Sequence, residues 1–507
     1  MTLGATYGVS LFGLEGNLIH IEVDISDGLP TYSLLGLPDL ALSESRDRIR
    51  SALLNSHERW PNKKVTVSLS PAWLPKSGSH FDLPIAVALL AAQGLIPSER
   101  LSQTVFFGEL ALDGRIRQAR GVLPALLGLR NSEIKAAVIP FENFNETRLL
   151  KNLHIVPVRT IHDVLAWLRQ DESPEHPAII DEEQEEFIKD FSEVLGQESA
   201  KFALEVAAVG SHHVLMIGPP GTGKTMLAER FPTIMPPLTE DESIQVSAIH
   251  SLSGDLQQRG ITTRQPPFVA PHHTTSRAAM IGGGSHVIKP GACSLAHRGI
   301  LFVDEAPECA TGVLDSLRQP LESGAVTISR AIGSATFPAQ FLLVLAANPC
   351  PCGRFAGRGR ACQCTSVQVR RYLHRLSGPL LDRIDIRLQV LPPTRESLSS
   401  HMRSESSSDI RTRVMTARAR SESRLIPLGI ARNSEIPASL LRETLRAERG
   451  AMVFLHGELE KENITARGFH KVLRVAWSIA DLAAHEVPTL SDVHLAMSLR
   501  EGLELMS

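Results

Sequence analysis

Eight residues, Gly218-Pro219-Pro220-Gly221-Thr222-Gly223-Lys224-Thr225, fit the spacing G-x-x-x-x-G-K-[ST] directly after the apolar run 212–217. Glycines at this spacing let successive backbone N–H groups curl around an anion, and the helix expected directly after them (Met226-Leu-Ala-Glu-Arg-Phe) adds the positive end of its dipole. That is chemistry for a nucleotide polyphosphate. Gly218 to Met226 would form the cradle, Lys224 would reach the outer phosphates, and Thr225 would ligate Mg²⁺. The implied cofactors are ATP and Mg²⁺. Hydrolysis needs a second element, and the apolar run 299–303 ends in Asp304 and Glu305. Asp304 would hold Mg²⁺ through its water shell, while Glu305 would polarise the attacking water. A further apolar run, 340–347, ends at Asn348, whose amide can orient that water; an asparagine before proline is equally a turn former.

A separate group of residues could bind a metal. Cys350, Cys352, Cys362 and Cys364 fall within fifteen positions of a Gly/Arg-rich loop. Four thiolates suit a tetrahedral structural Zn²⁺, although the C-x-C spacing is tighter than the usual two to four intervening residues. Reduced structural thiols and a redox or disulfide role stay open beside zinc. Cys293 and Cys309 read as apolar fillers. His272 and His273 could be ligands, but neighbours on a strand or a helix point in different directions, so they read instead as positioning an inserted loop.

The elements that must carry these residues are legible in outline. Residues 1–170 alternate β-like and helical runs, as a mixed α/β domain does. An acidic, Pro-containing stretch, 171–190, is too polar for a core and reads as a linker. Residues 191–395 contain apolar runs at 213–217, 299–303 and 340–347, read as central strands of a parallel sheet covered on both faces. Residues 324–337 have a strand–Gly-Ser–strand pattern that predicts a β-hairpin. Strand patterns stop near 396, and 396–507 reads as helical.

The 507 residues suit about three domains. A net charge of −3 looks unfavourable for nucleic acid, yet it averages two opposed segments. Segment 171–193 holds ten acidic residues and one lysine, whereas 353–432 holds sixteen arginines, no lysine and six acidic residues. No apolar run is long enough for a membrane span, the N-terminus lacks a secretory pattern, and the six cysteines do not form a disulfide framework; the expected location is the cytoplasm.

The nucleotide block resembles AAA+ ATPases of the magnesium-chelatase type. Leu-Ser-Gly-Pro-Leu-Leu-Asp-Arg383-Ile-Asp is similar to that group's trans-acting arginine segment. Asn463-Ile-Thr-Ala-Arg467-Gly-Phe-His is similar to its second-sensor helix, where an arginine contacts the γ-phosphate. The resemblance implies that Arg383 serves a neighbouring subunit's nucleotide, which requires a ring. A surface ion pair with Asp382 or Asp385 is the plainer reading of Arg383, and Arg474 competes with Arg467. Further segments narrow the resemblance: Pro-Phe-Val-Ala-Pro-His272-His273-Thr-Thr-Ser, Gly282-Gly-Gly, Lys-Pro-Gly-Ala-Cys-Ser-Leu-Ala-His297 and Ala-Asn-Pro-Cys-Pro-Cys-Gly. Together they resemble the bacterial ComM/YifB family over essentially the whole chain.

That resemblance implies a hexameric, ATP-driven DNA helicase or translocase that promotes branch migration on single-stranded, forked or branched DNA during natural transformation, with recombination proteins as possible partners. In such rings the corresponding hairpin enters the pore, which makes Arg330 a candidate DNA phosphate contact or else a plain surface residue. A chelatase-like remodelling ATPase acting on a protein partner is the alternative. Residues 65–168 resemble the proteolytic domain of Lon-type proteases and imply a ribosomal-S5-like fold. His80 and Leu123 stand where that family has its serine and lysine, and Ser79 is one position off, so a protease dyad is not expected. DNA binding or ring assembly is the role this resemblance leaves to the domain.

Overall fold

The computed structural model describes residues 2–502 apart from 37–38, 40–41, 43, 77, 170–173, 178–188, 255, 257–263, 285–287, 331–332, 356–361 and 393–403. Most of the expected acidic linker, the tip of the expected hairpin and the expected boundary near 395 lie outside the described residues.

The N-terminal part is built on a seven-stranded mixed sheet. Its strands are β1 (Thr2–Phe12), β2 (Glu15–Ser26), β3 (Thr31–Leu35), β4 (Lys64–Ser70), β5 (Thr104–Phe106), β6 (Ala136–Pro140) and β7 (His154–Val158), ordered β3-β4-β2-β1-β5-β6-β7. In β2, Ile19, Ile21, Val23 and Ile25 alternate with less buried neighbours, and Val65, Val67 and Leu69 do the same in β4. That period of two points one face at α1 (Ser45–Asn55) and α2 (Asp82–Ala92). Helix α2 is buried on nearly every side, as its unbroken apolar run requires. The opposite face of the sheet is covered by α3 (Val122–Leu127), while α4 (Ile161–Arg169) closes the end of the domain.

The central part opens with α5 (Glu198–Gly210) and holds a five-stranded sheet that is parallel throughout. Its strands are β8 (Val214–Ile217), β9 (Phe268–Val269), β10 (Ile300–Val303), β13 (Leu342–Ala347) and β14 (Ile386–Gln389), ordered β9-β10-β13-β8-β14. Between β10 and β13 a two-stranded hairpin, β11 (Ala325–Arg330) and β12 (Gly333–Pro338), stands apart from the sheet. Alternate side chains feed two cores. Val214, Met216, Phe302 and Val344 face one, and Leu215, Leu301, Leu343 and Leu345 face the other. Each such side chain contributes roughly 1.5–3 kcal/mol by leaving water.

The first of those cores is shared with the C-terminal helices. After α6 (Lys224–Ile234), α7 (Glu240–Ser253) and α8 (Ser366–Leu373) come α9 (Ser407–Leu425), α10 (Arg449–Glu460), α11 (Ala466–Ala483) and α12 (Leu490–Glu501). Helices α9 and α11 pack on α5, so the helical part has no separate core of its own. Two of its helix starts are capped by threonine: Thr465 accepts from Gly468 N–H, and Thr489 with Asp492 forms a capping box. The N-terminal part meets the central one through α7, where Ser251 hydroxyl donates to the buried Glu146 carboxylate and Gly121 N–H donates to Ser251 O at 3.1 Å.

Candidate functional site

Parallel strands bring their C-terminal ends to one edge, where ligands of such sheets bind. Ile217 pairs with Ala347 and Val303 with Leu345, so the residues that follow, Gly218, Asp304 and Asn348, emerge side by side. Gly218 N–H donates to Ala347 O at 3.2 Å, and a Cβ at Gly218 would stand 2.1 Å from Val390 O. Gly221 and Gly223 hold φ of +77° and +91°, a conformation that glycine adopts without strain. The loop leads directly into α6, whose first residue is Lys224.

Lys224 is buried, and its Nζ donates to Gly218 O (2.6 Å), Pro219 O (2.9 Å) and Asn348 Oδ1 (3.2 Å). Burial lowers its pKa, while the charges of Asp304 and Glu305 act the other way. Thr225 Oγ1 donates to Asp304 Oδ2 at 2.8 Å, which sets two hard oxygens together as Mg²⁺ requires. The site thus unites the sequence-predicted cradle, Asp304, Glu305 and Asn348. Three features were not read from the sequence. Glu305 has a left-handed backbone, φ +48°. His273 Nδ1 lies 3.4 Å from Glu305 Oε2. Gln197 donates through Nε2 to Thr222 O at 2.5 Å and to Leu391 O at 3.3 Å, tying the start of α5 to the cradle. The expectation that the two histidines diverge is corrected: they occupy a loop rather than a strand or helix, and their rings lie 4.1 Å apart.

Arg383 and Arg467 are not at this edge. Arg383 precedes β14, and Asp385 N–H donates to His213 O at 3.0 Å where β8 begins. A four-residue strand spans about 13 Å, which separates them from the cradle. The two arginines sit together instead: Arg467 Nη1 lies 2.5 Å from Asp382 Oδ2, and Arg383 pairs with Glu322. Both line a cavity of about 700 Å³ that Arg298, Lys471 and Arg474 also border. Arg474 is engaged structurally, Nε donating to Ile436 O at 2.8 Å. Beside them Asp385 is buried; burial acts to raise its pKa, but Lys471 at 2.7 Å and His212 outweigh it and hold the carboxyl well below its usual range.

The cysteine sulfurs converge. All four lie within 4.8 Å of one another, with Cys350–Cys352 at 3.3 Å, Cys350–Cys362 at 3.7 Å and Cys352–Cys362 at 3.6 Å. Four thiolates around a tetrahedral metal at about 2.3 Å would be about 3.8 Å apart, so the donor set can hold a metal ion. Cys293 and Cys309 are buried among apolar side chains. Arg330 pairs with Gly333 at the last described rung of the hairpin and is exposed, its Nε donating to Gly284 O at 3.2 Å. In the N-terminal part His80 is stacked on Phe107 with ring centroids 4.3 Å apart, and burial pushes its pKa down to about 4. Leu123 is buried, Ser79 hydroxyl donates to the Glu109 carboxylate, and Lys76 Nζ donates to Pro71 O. Among the described residues no lysine is joined to Ser79.

A parallel sheet with a phosphate cradle after β8, Asn348 after the neighbouring β13, an acidic pair after β10 on the far side of β13, and a helical C-terminal part defines a P-loop AAA+ protein of the magnesium-chelatase type. Family models agree: "Magnesium chelatase, subunit ChlI" matches residues 190–398, "Subunit ChlI of Mg-chelatase" matches 21–143, and the corresponding C-terminal model matches 404–500. The Rhodobacter capsulatus magnesium-chelatase 38 kDa subunit is 28% identical over 31% of this chain and 50% of its own. Two relatives match nearly end to end. An uncharacterized protein of Mycobacterium tuberculosis is 45% identical over 99% of both chains. Competence protein ComM of Haemophilus influenzae is 39% identical over 98% of this chain and 97% of its own. The chain belongs to the ComM/YifB family of magnesium-chelatase-like AAA+ ATPases.

Proposed function

We propose that the protein is an ATP-dependent, ring-forming DNA motor that promotes branch migration. The carrying observation is the split of its nucleotide chemistry between two edges of one sheet. Lys224, Thr225, Asp304, Glu305 and Asn348 occupy the strand ends, whereas Arg383 and Arg467 occupy the strand starts. A head-to-tail contact between such edges completes a site between two copies, and repeated contacts of that kind close into a ring. In it Arg383 and Arg467 act on the γ-phosphate held by a neighbour, stabilising the charge that spreads as the phosphoryl group transfers. Glu305 activates the water and Asn348 orients it. A hexamer is the assembly the family resemblance favours.

DNA enters the proposal through the exposed hairpin arginine, through the arginine-rich motor half and through the competence relative, whose name also supports a role in natural transformation. Zinc on the four cysteines completes the proposed cofactors beside ATP and Mg²⁺.

The test is migration of a synthetic three- or four-way junction by wild type and Glu305→Gln, with ATP turnover measured with and without forked DNA. The motor reading expects DNA-stimulated turnover and migration lost in Glu305→Gln. Turnover indifferent to DNA, while Lys224→Ala still removes it, would overturn the DNA reading in favour of remodelling a protein partner.

A further inference from the structure

The cysteine cluster is built into the nucleotide site rather than beside it. Strand β13 ends at Ala347; Asn348 follows, and Cys350 comes two residues later, fully buried. Cys350 O accepts from Gly353 N–H at 2.9 Å, closing a turn in which Gly353 has φ +72°. That turn presses on the cradle: a Cβ at Gly353 would come within 2.6 Å of Pro220 Cδ. At the other end of the cluster Cys364 is followed by Thr365, which caps α8 through a capping box with Gln368. Helix α8 returns the buried Tyr372 to the neighbourhood of the Asn348 backbone. Asn348 in turn accepts from Lys224 Nζ at 3.2 Å.

By composition, the segment between the two cysteine pairs offers a core almost nothing apolar. Residues 353–361 are glycines, arginines, alanines and one phenylalanine, Phe355, which is exposed. Arginines repel one another and glycine costs the most entropy to fix. All four sulfurs nevertheless lie within 4.8 Å of one another. Cys362 stands 3.7 Å from Cys350 and 3.6 Å from Cys352, against about 3.8 Å in a tetrahedral set, while Cys350 and Cys352 are closer at 3.3 Å.

We propose that the cluster is a metal clip that positions the catalytic groups: Zn²⁺ on Cys350, Cys352, Cys362 and Cys364 holds Asn348 and Pro220 in place, so that ATP turnover depends on zinc that touches neither nucleotide nor water. This rests on the zinc reading above. Loss of the metal frees the segment that begins two residues after Asn348, and the water-orienting amide loses its fixed place. The cysteines are positioning residues, and their effect falls on kcat before KM.

The experiment uses the full chain. Zinc content is measured after gentle purification, and ATP kinetics are compared for wild type, Cys362→Ser and Cys362→His. Expected are one zinc per chain in wild type and loss of zinc with at least about a tenfold fall of kcat in Cys362→Ser, as displacement of a reacting group produces. KM should stay within about threefold. Cys362→His keeps four ligands and should retain zinc and most of kcat. If Cys362→Ser fails to fold by circular dichroism, wild type stripped by a chelator and reloaded with zinc replaces it, with the same fall and recovery expected. Zinc-bearing and zinc-free protein with equal kcat would overturn the coupling and leave the zinc site standing. Wild type with reduced thiols and no zinc would overturn both.

Discussion

His213 and His297 each accept a backbone N–H at Nδ1, from Leu343 at 3.0 Å and Gln340 at 3.1 Å, so each imidazole is neutral with its proton on Nε2. Burial pushes both down to about 4. In the unfolded chain they titrate near 6.5, as free imidazoles do. Between about pH 6.5 and 4 the unfolded state therefore binds more protons, and stability falls as pH drops through that window. Each histidine contributes up to about 1.4 kcal/mol per pH unit. His213→Gln keeps an acceptor for Leu343 N–H without a titrating group, so its stability should depend less steeply on pH across that window. Denaturant melts at several pH values check this; an unchanged slope would remove His213 from the account. Nothing in the residue types announces these roles, because a histidine's tautomer is set by whichever backbone group faces it. Lys224, Asp304 and Asn348 could be singled out in the sequence because each follows or ends an apolar run at the spacing a nucleotide site would use, and the fold brings all three to one edge of the sheet.

The β11–β12 hairpin is not hydrogen-bonded to the parallel sheet, and its strand–Gly-Ser–strand pattern made it legible in the sequence. Val326, Ile328, Ala335 and Phe337 face the core while Thr327 and Thr336 pair across the outer face at 3.0 Å. Arg330→Ala leaves that packing intact. If the hairpin carries a phosphate contact, the variant should bind DNA more weakly for every sequence, and the slope of log affinity against log salt should fall by about one. Basal ATP turnover without DNA should persist. An unchanged salt slope would assign Arg330 to the plain surface. Strand β1 shows the limit of reading elements from pattern. Its run TLGATYGVSLF lacks a clean apolar period, yet it sits between β2 and β5. Gly4 permits this, since a Cβ there would stand 2.2 Å from Ala88 O of α2. Helix–strand contact, not local preference, makes this segment a central strand.

On the proposed reading each chain carries two half-sites that a neighbouring copy completes. Glu305→Gln and Arg383→Ala should each abolish turnover alone. Mixed in equal amounts before assembly, they should recover turnover, because a chain with intact Glu305 can meet a neighbour with intact Arg383 at roughly a quarter of randomly formed interfaces. Turnover that stays at zero in the mixture, with mixed rings confirmed by size and mass, would argue against a shared site. The net charge of −3 takes its meaning at this scale too, as an acidic stretch offset by an arginine-rich half. Part of that half turns inward: Arg418 is buried against Ala208 O, and Arg424 pairs with buried Asp481 at 2.7 Å. A charge count cannot tell such arginines from those free to meet phosphate. By itself the sequence singled out the candidate cradle, the carboxylates, the asparagine and the cysteine quartet, because each is marked by residue type within its own short stretch of chain. Only the tertiary structure decided that Arg383 pairs with Glu322 and Arg467 with Asp382 at the strand starts, that His273 approaches Glu305, and that Gly353 bears on Pro220. Those relations join residues far apart in sequence, and strand order and side-chain packing, not local spacing, bring them together.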